Sequence, residues 1–376
     1  MKSTEGQDMS DSNIHWAQPG HRLEETSGRL EVARRDVLIS NPGTHGIPDE
    51  QLHFPHLYES TNGNWYMTYR EGPHHEGLFD SPGNRVQCVQ SMDRGKTWLP
   101  WMGLRAETFM YHLFITRLAD GGLISCRTRM TGLHERGDEQ RPADGTVDGT
   151  AILLRSDDEG ATWRRRHVPV LNMPCSDDAL LITLWGPATE MPDGRMVWCI
   201  ISRERTQRDS VAAVVESTDG GLSFRFLAAL CQGVFEDVGL EPREPGMILL
   251  PNGELLALIR CSPMLQVRSS DGGRTWSAPL KLDRPGICPQ LLLLENGVLV
   301  CSYGTRHYLH IMASWDGAGR EWSGPLVLYE GQTSGYSSVQ PLGADRFRVC
   351  YQEGTFNKFQ PGPNRIVRTE VQVSPS

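Results

Sequence analysis

A short turn pattern, Ser-x-Asp-x-Gly-x-Thr-Trp, recurs along this 376-residue chain and constrains its fold more than any other feature. It reads Ser91-Met-Asp-Arg-Gly-Lys-Thr-Trp98, Ser156-Asp-Asp-Glu-Gly-Ala-Thr-Trp163, Ser217-Thr-Asp-Gly-Gly-Leu-Ser-Phe224 and Ser269-Ser-Asp-Gly-Gly-Arg-Thr-Trp276. A fifth copy, Ser314 to Trp322, carries one extra residue. In such a turn the Asp carboxylate accepts from backbone N–H groups of its own loop, the glycine takes a positive φ, and the aromatic packs inward.

Upstream of each turn lies a hairpin of two apolar runs. The unit Glu244 to Trp276 shows it best: MILL and ELLALIR flank Asn252-Gly253, a dipeptide suited to a tight turn. Related hairpins begin at His53, Tyr111, Trp185 and Cys288, and a sixth, from Gly335, has no turn motif after it. The turns start at 91, 156, 217, 269 and 314, so they lie 65, 61, 52 and 45 residues apart, within or just above the range of a propeller repeat. This predicts an all-β fold, a six-bladed β-propeller of four-stranded antiparallel blades. The sixth blade lacks an outer strand, and Arg29–Ser40 is expected to supply it, closing the ring and removing its exposed edges. Residues 1–28 are polar and aperiodic and read as a flexible tail; residues 29–376 read as one domain.

The formal net charge of −9 argues against a general nucleic-acid binder. No run of about 18 apolar residues suits a membrane span. The first twenty residues lack the apolar core of a signal peptide, which points to a cytoplasmic protein, or to a secreted one if a signal has been removed. Nine cysteines without a C-x-x-C pair read as free buried thiols. The spacing His53-x-x-His56 falls on a strand, where the two side chains point to opposite faces, so no metal is expected, and no other cofactor either.

Strand direction separates the two ends of such a ring. The Asp-containing turns lie on one face and are structural. The opposite face collects the starts of the inner strands, at His53, His56, Tyr111, His112, Trp185, Glu244, Gln290 and Tyr336. It also collects the ends of the second strands, at Arg70, Arg127 with Arg129, Arg203, Arg260, Arg306 and, in the sixth hairpin, Glu353. Arginine at this phase in five of the six hairpins points to recognition of an anion, because a guanidinium can hold a carboxylate bidentately.

These residues resemble the sialidases, exo-acting enzymes built as six-bladed propellers with Asp-containing turn repeats; the resemblance covers roughly residues 29 to 370. It rests on Glu244 and Arg260 at the two ends of one hairpin, on Arg306 in YGTRHYLHIMASWD before the fifth turn, and on Tyr336 in GYSSVQPL ahead of YQEG. The resemblance implies that Tyr336 is a nucleophile activated by Glu244. A neutral phenol can approach an anomeric carbon that bears a carboxylate, where an Asp or Glu would be repelled. It further implies that Arg260 and Arg306 clamp that carboxylate and stabilise the transition state. A general acid is expected in the loop EGPHHEGLFDSPGNR, with Asp80 the choice and Glu76 and His75 its rivals. Where the family opens its first blade with R-I-P, this chain has His53-Phe54-Pro55; Arg70, Arg85 and Arg127 are the candidates to replace the missing arginine. The expected substrate-binding set is therefore Arg260, Arg306, Arg70, His53, Arg127, Trp185, Gln290 and Glu353, acting on an anionic carbohydrate. Two other readings fit the same residues: a uronate lyase using His53, His56 or Tyr336 as acid and base, and a carbohydrate-binding protein without catalysis.

Overall fold

The structure is a computed structural model that describes residues 15–40, 51–72, 85–104, 112–127, 147–174, 179–204, 211–232, 242–354 and 364–376. Each repeated turn is wired as its sequence requires. Ser269 Oγ accepts from the Gly273 N–H (2.9 Å) and donates to Asp271 Oδ1 (2.8 Å). Asp271 in turn accepts from the backbone N–H groups of Arg274 (2.9 Å) and Thr275 (3.0 Å) and from the Thr275 hydroxyl (2.6 Å). Ser91, Ser156 and Ser217 repeat the arrangement. At Ser314 the extra residue moves the serine's backbone donor one position on, to Gly319 (2.9 Å). Hydrogen bonds from the side chain and backbone of Thr97 hold the Asp93 carboxyl down at about 2.

The turn glycines also join neighbours. A Cβ on Gly160 would lie 3.2 Å from Tyr66, one on Gly221 3.1 Å from Leu153, one on Gly273 3.2 Å from Leu227 and one on Gly319 2.5 Å from Leu256. In each case the side chain met belongs to the preceding hairpin unit, so the turn is seated on its neighbour. Ser269→Ala is expected to leave the buried Gly273 N–H without its acceptor. The cost should be about 1–3 kcal/mol in urea denaturation, with catalytic parameters unchanged.

The described residues contain no helix; every strand pairs antiparallel with at least one neighbour. One four-strand meander runs through Gln51–Glu59, Trp65–Gly72, Arg85–Ser91 and Leu99–Pro100. A second (Thr116–Arg117, Leu123–Arg127, Val147–Ser156, Arg164–Met173) and a third (Ala179–Glu190, Met196–Glu204, Val211–Ser217, Phe224–Gln232) merge into one eight-stranded sheet. They meet through the parallel contact of Val170–Leu171 with Phe224–Arg225. A fourth (Arg243–Leu249, Leu255–Arg260, Leu265–Ser269, Leu280–Lys281) and a fifth (Ile287–Leu293, Leu299–Gly304, Tyr308–Ser314, Leu326–Glu330) follow. The sixth is Ser337–Gly343, Arg346–Gly354 and Asn364–Pro375, completed by Gly28–Ser40 from the other end of the chain.

Shared apolar clusters bind each meander to the next. Tyr66 and Trp101 of the first unit pack with Leu154 of the second. Val168 meets Trp198 between the second and third, and Cys199 meets Ala257 between the third and fourth. Leu258 meets Tyr303 between the fourth and fifth, Val300 meets Phe347 between the fifth and sixth, and Ile366 meets Trp65 between the sixth and first.

Residues 15–28 differ from the expected tail. His15–Trp16 pairs with Tyr329 and Glu330, and Arg22–Glu25 folds back on Gly28–Glu31. Single contacts too short to register as periodicity anchor this segment. Ala17 is fully buried, and Glu25 accepts from Trp315 Nε1 (3.1 Å) and the Gly324 N–H (2.9 Å). The eight described cysteines are all buried free thiols.

Candidate active site

The first strands of four meanders begin with the same irregularity. Phe54, Gly186, Glu244 and Cys288 each precede a proline and have φ of +54°, +72°, +51° and +47°. The ladder slips at each place: between His53 and His56, Trp185 and Thr189, Arg243 and Gly246, and Ile287 and Gln290. A β-bulge re-aims side chains, and left-handed backbone at a residue other than glycine costs about 1–3 kcal/mol. Here three such residues, Phe54, Glu244 and Cys288, sit where the meanders converge. The strands approach backbone to backbone: a Cβ on Gly246 would lie 2.1 Å from the Pro289 carbonyl oxygen.

At the convergence Phe54, Phe114, Trp185, Ile201, Ile287, Cys288 and Tyr336 pack as one cluster drawn from five meanders. The fourth meander adds Glu244. Tyr336 donates its hydroxyl proton to Glu244 Oε1 at 2.6 Å. Arg260 Nη1 donates to the same Oε1 at 2.6 Å and to Tyr336 Oη at 3.1 Å. These three residues, from positions 244, 260 and 336, form one buried unit.

Its electrostatics follow from burial and neighbours. Burial pushes the Glu244 carboxyl up, but the Arg260 guanidinium, helped by Arg243 and the Tyr336 hydrogen bond, outweighs it and holds the group below the usual carboxylate range. Burial and the Glu244 charge push the Tyr336 phenol up, so it is the proton donor of the pair. Glu244 Oε2 is buried and accepts no hydrogen bond.

Arg306 donates to the Ser334 carbonyl at 2.7 Å; burial lowers its pKa, Tyr336 and Glu244 act to raise it, and Arg260 and Arg243 act to lower it. His53 is fully buried, and burial, Arg70 and Arg306 lower it to about 3. The imidazole at this position is therefore neutral at working pH. Arg70, its register partner across the hairpin, supplies the nearby charge. Arg85, the other described candidate for the missing arginine, is exposed at the start of its strand.

Trp185 joins the central cluster, its ring 4.7 Å from that of His112 and its Nε1 buried without a hydrogen-bond partner. Gln290 borders the cluster without joining it. It lines a cavity of about 650 Å³ with His56, Tyr58, Arg117 and Gln340, and its Nε2 donates to Sγ of Cys288 in the central cluster at 3.4 Å. Glu353 is buried and committed to Arg35 of the closing strand at 2.6 Å rather than to the Tyr336 unit. The Arg127 side chain, Asp80, and the rivals Glu76 and His75 lie outside the described residues.

Strand phase puts His112 on this face but leaves out two contributors, Arg243 and Phe54. Arg243 is the register partner of Arg260, and its charge acts on Glu244 and Arg306. The only sequence signal for it is its place before Glu244-Pro245, where a bulge can turn consecutive residues to one side.

Turns that repeat in both sequence and hydrogen bonding, on antiparallel meanders that share cores with their neighbours, define a repeat-built all-β protein. The chain belongs to the BNR repeat-like domain family, which matches residues 142–345. Among solved structures, a Dyadobacter fermentans DSM 18053 protein of unknown function has a TM-score of 0.65 at 21% identity, covering 92% of this chain and 99% of that one. The Penicillium chrysogenum alpha-L-arabinanase complexed with arabinobiose has a TM-score of 0.58 at 17% identity, covering 90% and 97%. The intramolecular trans-sialidase from Ruminococcus gnavus has a TM-score of 0.58 at 12% identity, covering 85% and 94%. At such identities the likeness is one of fold. No curated protein matches the sequence.

Proposed function

We propose that the protein is an exo-acting glycoside hydrolase of the sialidase type that removes a terminal acidic sugar by double displacement at Tyr336. The observation that carries this reading is the 2.6 Å bond from the Tyr336 hydroxyl to an ionised Glu244, both held by Arg260. As the phenol oxygen attacks the anomeric carbon, its proton passes to Glu244, and the bond from that carbon to the leaving oxygen breaks. A group in the loop of Asp80 donates to the leaving oxygen, and water later releases the sugar from tyrosine with net retention.

The charges support an anionic substrate. Among the described residues, Arg70, Arg243, Arg260 and Arg306 act on this centre against one carboxylate, Glu244, and His53 adds no charge. That makes a local positive field within a chain of net charge −9. Arg260 and Arg306 stabilise the oxocarbenium-like transition state through the carboxylate they hold. The same reading takes the six meanders as six blades of a closed propeller, supported by shared cores that run from first to sixth and back to first. Neighbouring folds that include sialidases and arabinanases fit a glycosidase.

Product analysis on sialyl, uronyl and neutral α-glycosides tests the reading. Release of a free reducing acidic sugar is expected. Ultraviolet absorbance from an unsaturated uronate would instead establish a lyase, and binding without any product a lectin.

A further inference from the structure

His56 and His112 are buried side by side beneath Tyr336, with 3% and 6% of their surfaces exposed. His56 Nε2 and His112 Nδ1 are 2.8 Å apart. Burial lowers His112 to about 3, and burial with His112 beside it lowers His56 as well, so both rings are neutral. Two neutral imidazoles at this distance share one proton, and whichever ring donates it fixes the tautomer of the other. The plane of His112 is fixed by the same bond.

That plane matters because His112 lies flat against the phenol. The His112 and Tyr336 rings are 5.0 Å apart and 25° from parallel. Phe54 meets the same phenol edge-on at 4.6 Å, and Trp185 meets His112 edge-on at 4.7 Å. An aromatic layer built for packing alone would avoid the desolvation cost of two imidazoles. What the imidazoles add is a directed bond that a phenylalanine cannot make. The bulge between His53 and His56 makes this possible, leaving His53 under the influence of Arg70 and Arg306 while His56 reaches His112 and the cavity that Gln290 also lines.

We infer that His56 and His112 act as one positioning device: His56 fixes the orientation and tautomer of His112, and His112 holds the Tyr336 phenol in line with the Glu244 carboxylate. This rests on the reading of Tyr336 and Glu244 as nucleophile and base. Neither histidine touches the reacting atoms in this account. The pair sets the geometry in which the phenol hands over its proton, where small misplacements lower rates disproportionately.

The test uses the full-length protein with tyrosine rings labelled with carbon-13 at Cζ, the Tyr336 resonance being assigned by its loss in Tyr336→Phe. His56→Leu and His112→Phe keep bulk and remove the bond. Each is expected to shift the Tyr336 resonance and to lower kcat about tenfold with KM within about twofold. The double variant should be no worse than either single one, as for residues acting as a unit. His56→Gln, which keeps an N–H donor, should recover most of the rate and covers the case in which His112→Phe folds poorly. An unmoved Tyr336 resonance in His56→Leu, or losses that add in the double variant, would overturn the inference. A resonance that moves as expected while Tyr336→Phe still cleaves glycosides would leave the positioning intact and remove the catalytic reading instead.

Discussion

Glu244→Gln is expected to lower kcat by about 10²–10⁴-fold with little change in KM. The amide keeps the size of the side chain and an oxygen for Arg260 and Tyr336, but it cannot take the phenol proton. Because burial and the Glu244 charge hold the phenol protonated, no other described group bonded to its hydroxyl can relieve it: Arg260 is already a full donor. The pH profile carries a second signature. Arg260, with help from Arg243 and Tyr336, holds Glu244 below the usual carboxylate range despite burial, so the acidic limb of kcat/KM should fall below an ordinary glutamate pKa. A loss under tenfold in Glu244→Gln, measured on the substrate the wild type cleaves, would exclude Glu244 as the base.

Arg260→Met is expected to destabilise the fold by about 3–5 kcal/mol at neutral pH, the cost of removing the hydrogen-bonded partner of a buried charge. The paired carboxylate is Glu244, whose side chain is 9% exposed against 16% for Arg260. The sign of the pH dependence should reverse. In the wild type the folded-state pKa of Glu244 is depressed, so its contribution is present above the unfolded pKa and is lost as pH falls through the folded value. Without Arg260, burial dominates and raises the group, so the variant should gain stability relative to wild type as pH falls and the carboxyl becomes neutral. The double variant Arg260→Met with Glu244→Gln should regain much of the loss, because it removes the unpaired charge. Urea denaturation at neutral and acidic pH measures all three.

The repeat made the strand order legible, because its turn chemistry is local: Ser269, Asp271 and Gly273 interact within a few residues of one another, so their spacing states their bonds. The pair Glu244 and Arg260 was legible for a similar reason, as two charges at the ends of one hairpin, although Cα register pairs Arg260 with Arg243 and the bulge brings Glu244 round. Bulges are where the reading failed. One put Ile287 and Cys288 in the central cluster and left Gln290 at its border, and no composition signal marks the slip beyond a proline. Long-range partners were hidden too. Glu353 sits at the end of a strand like the arginines, but Arg35, 318 residues away, engages it. The contact of His112 with Tyr336 depends on how meanders from distant parts of the chain meet, which no local pattern encodes.

Trapping the covalent intermediate bears most directly on the central claim. A glycosyl fluoride of an acidic sugar, sialic acid first, with a second fluorine beside the anomeric carbon, slows hydrolysis of the adduct more than its formation. Mass spectrometry of the digested protein should then find the sugar's mass on the peptide that carries Tyr336, and on no peptide of the Tyr336→Phe variant. An adduct on Glu244 or another side chain, or full turnover by Tyr336→Phe, would contradict the account.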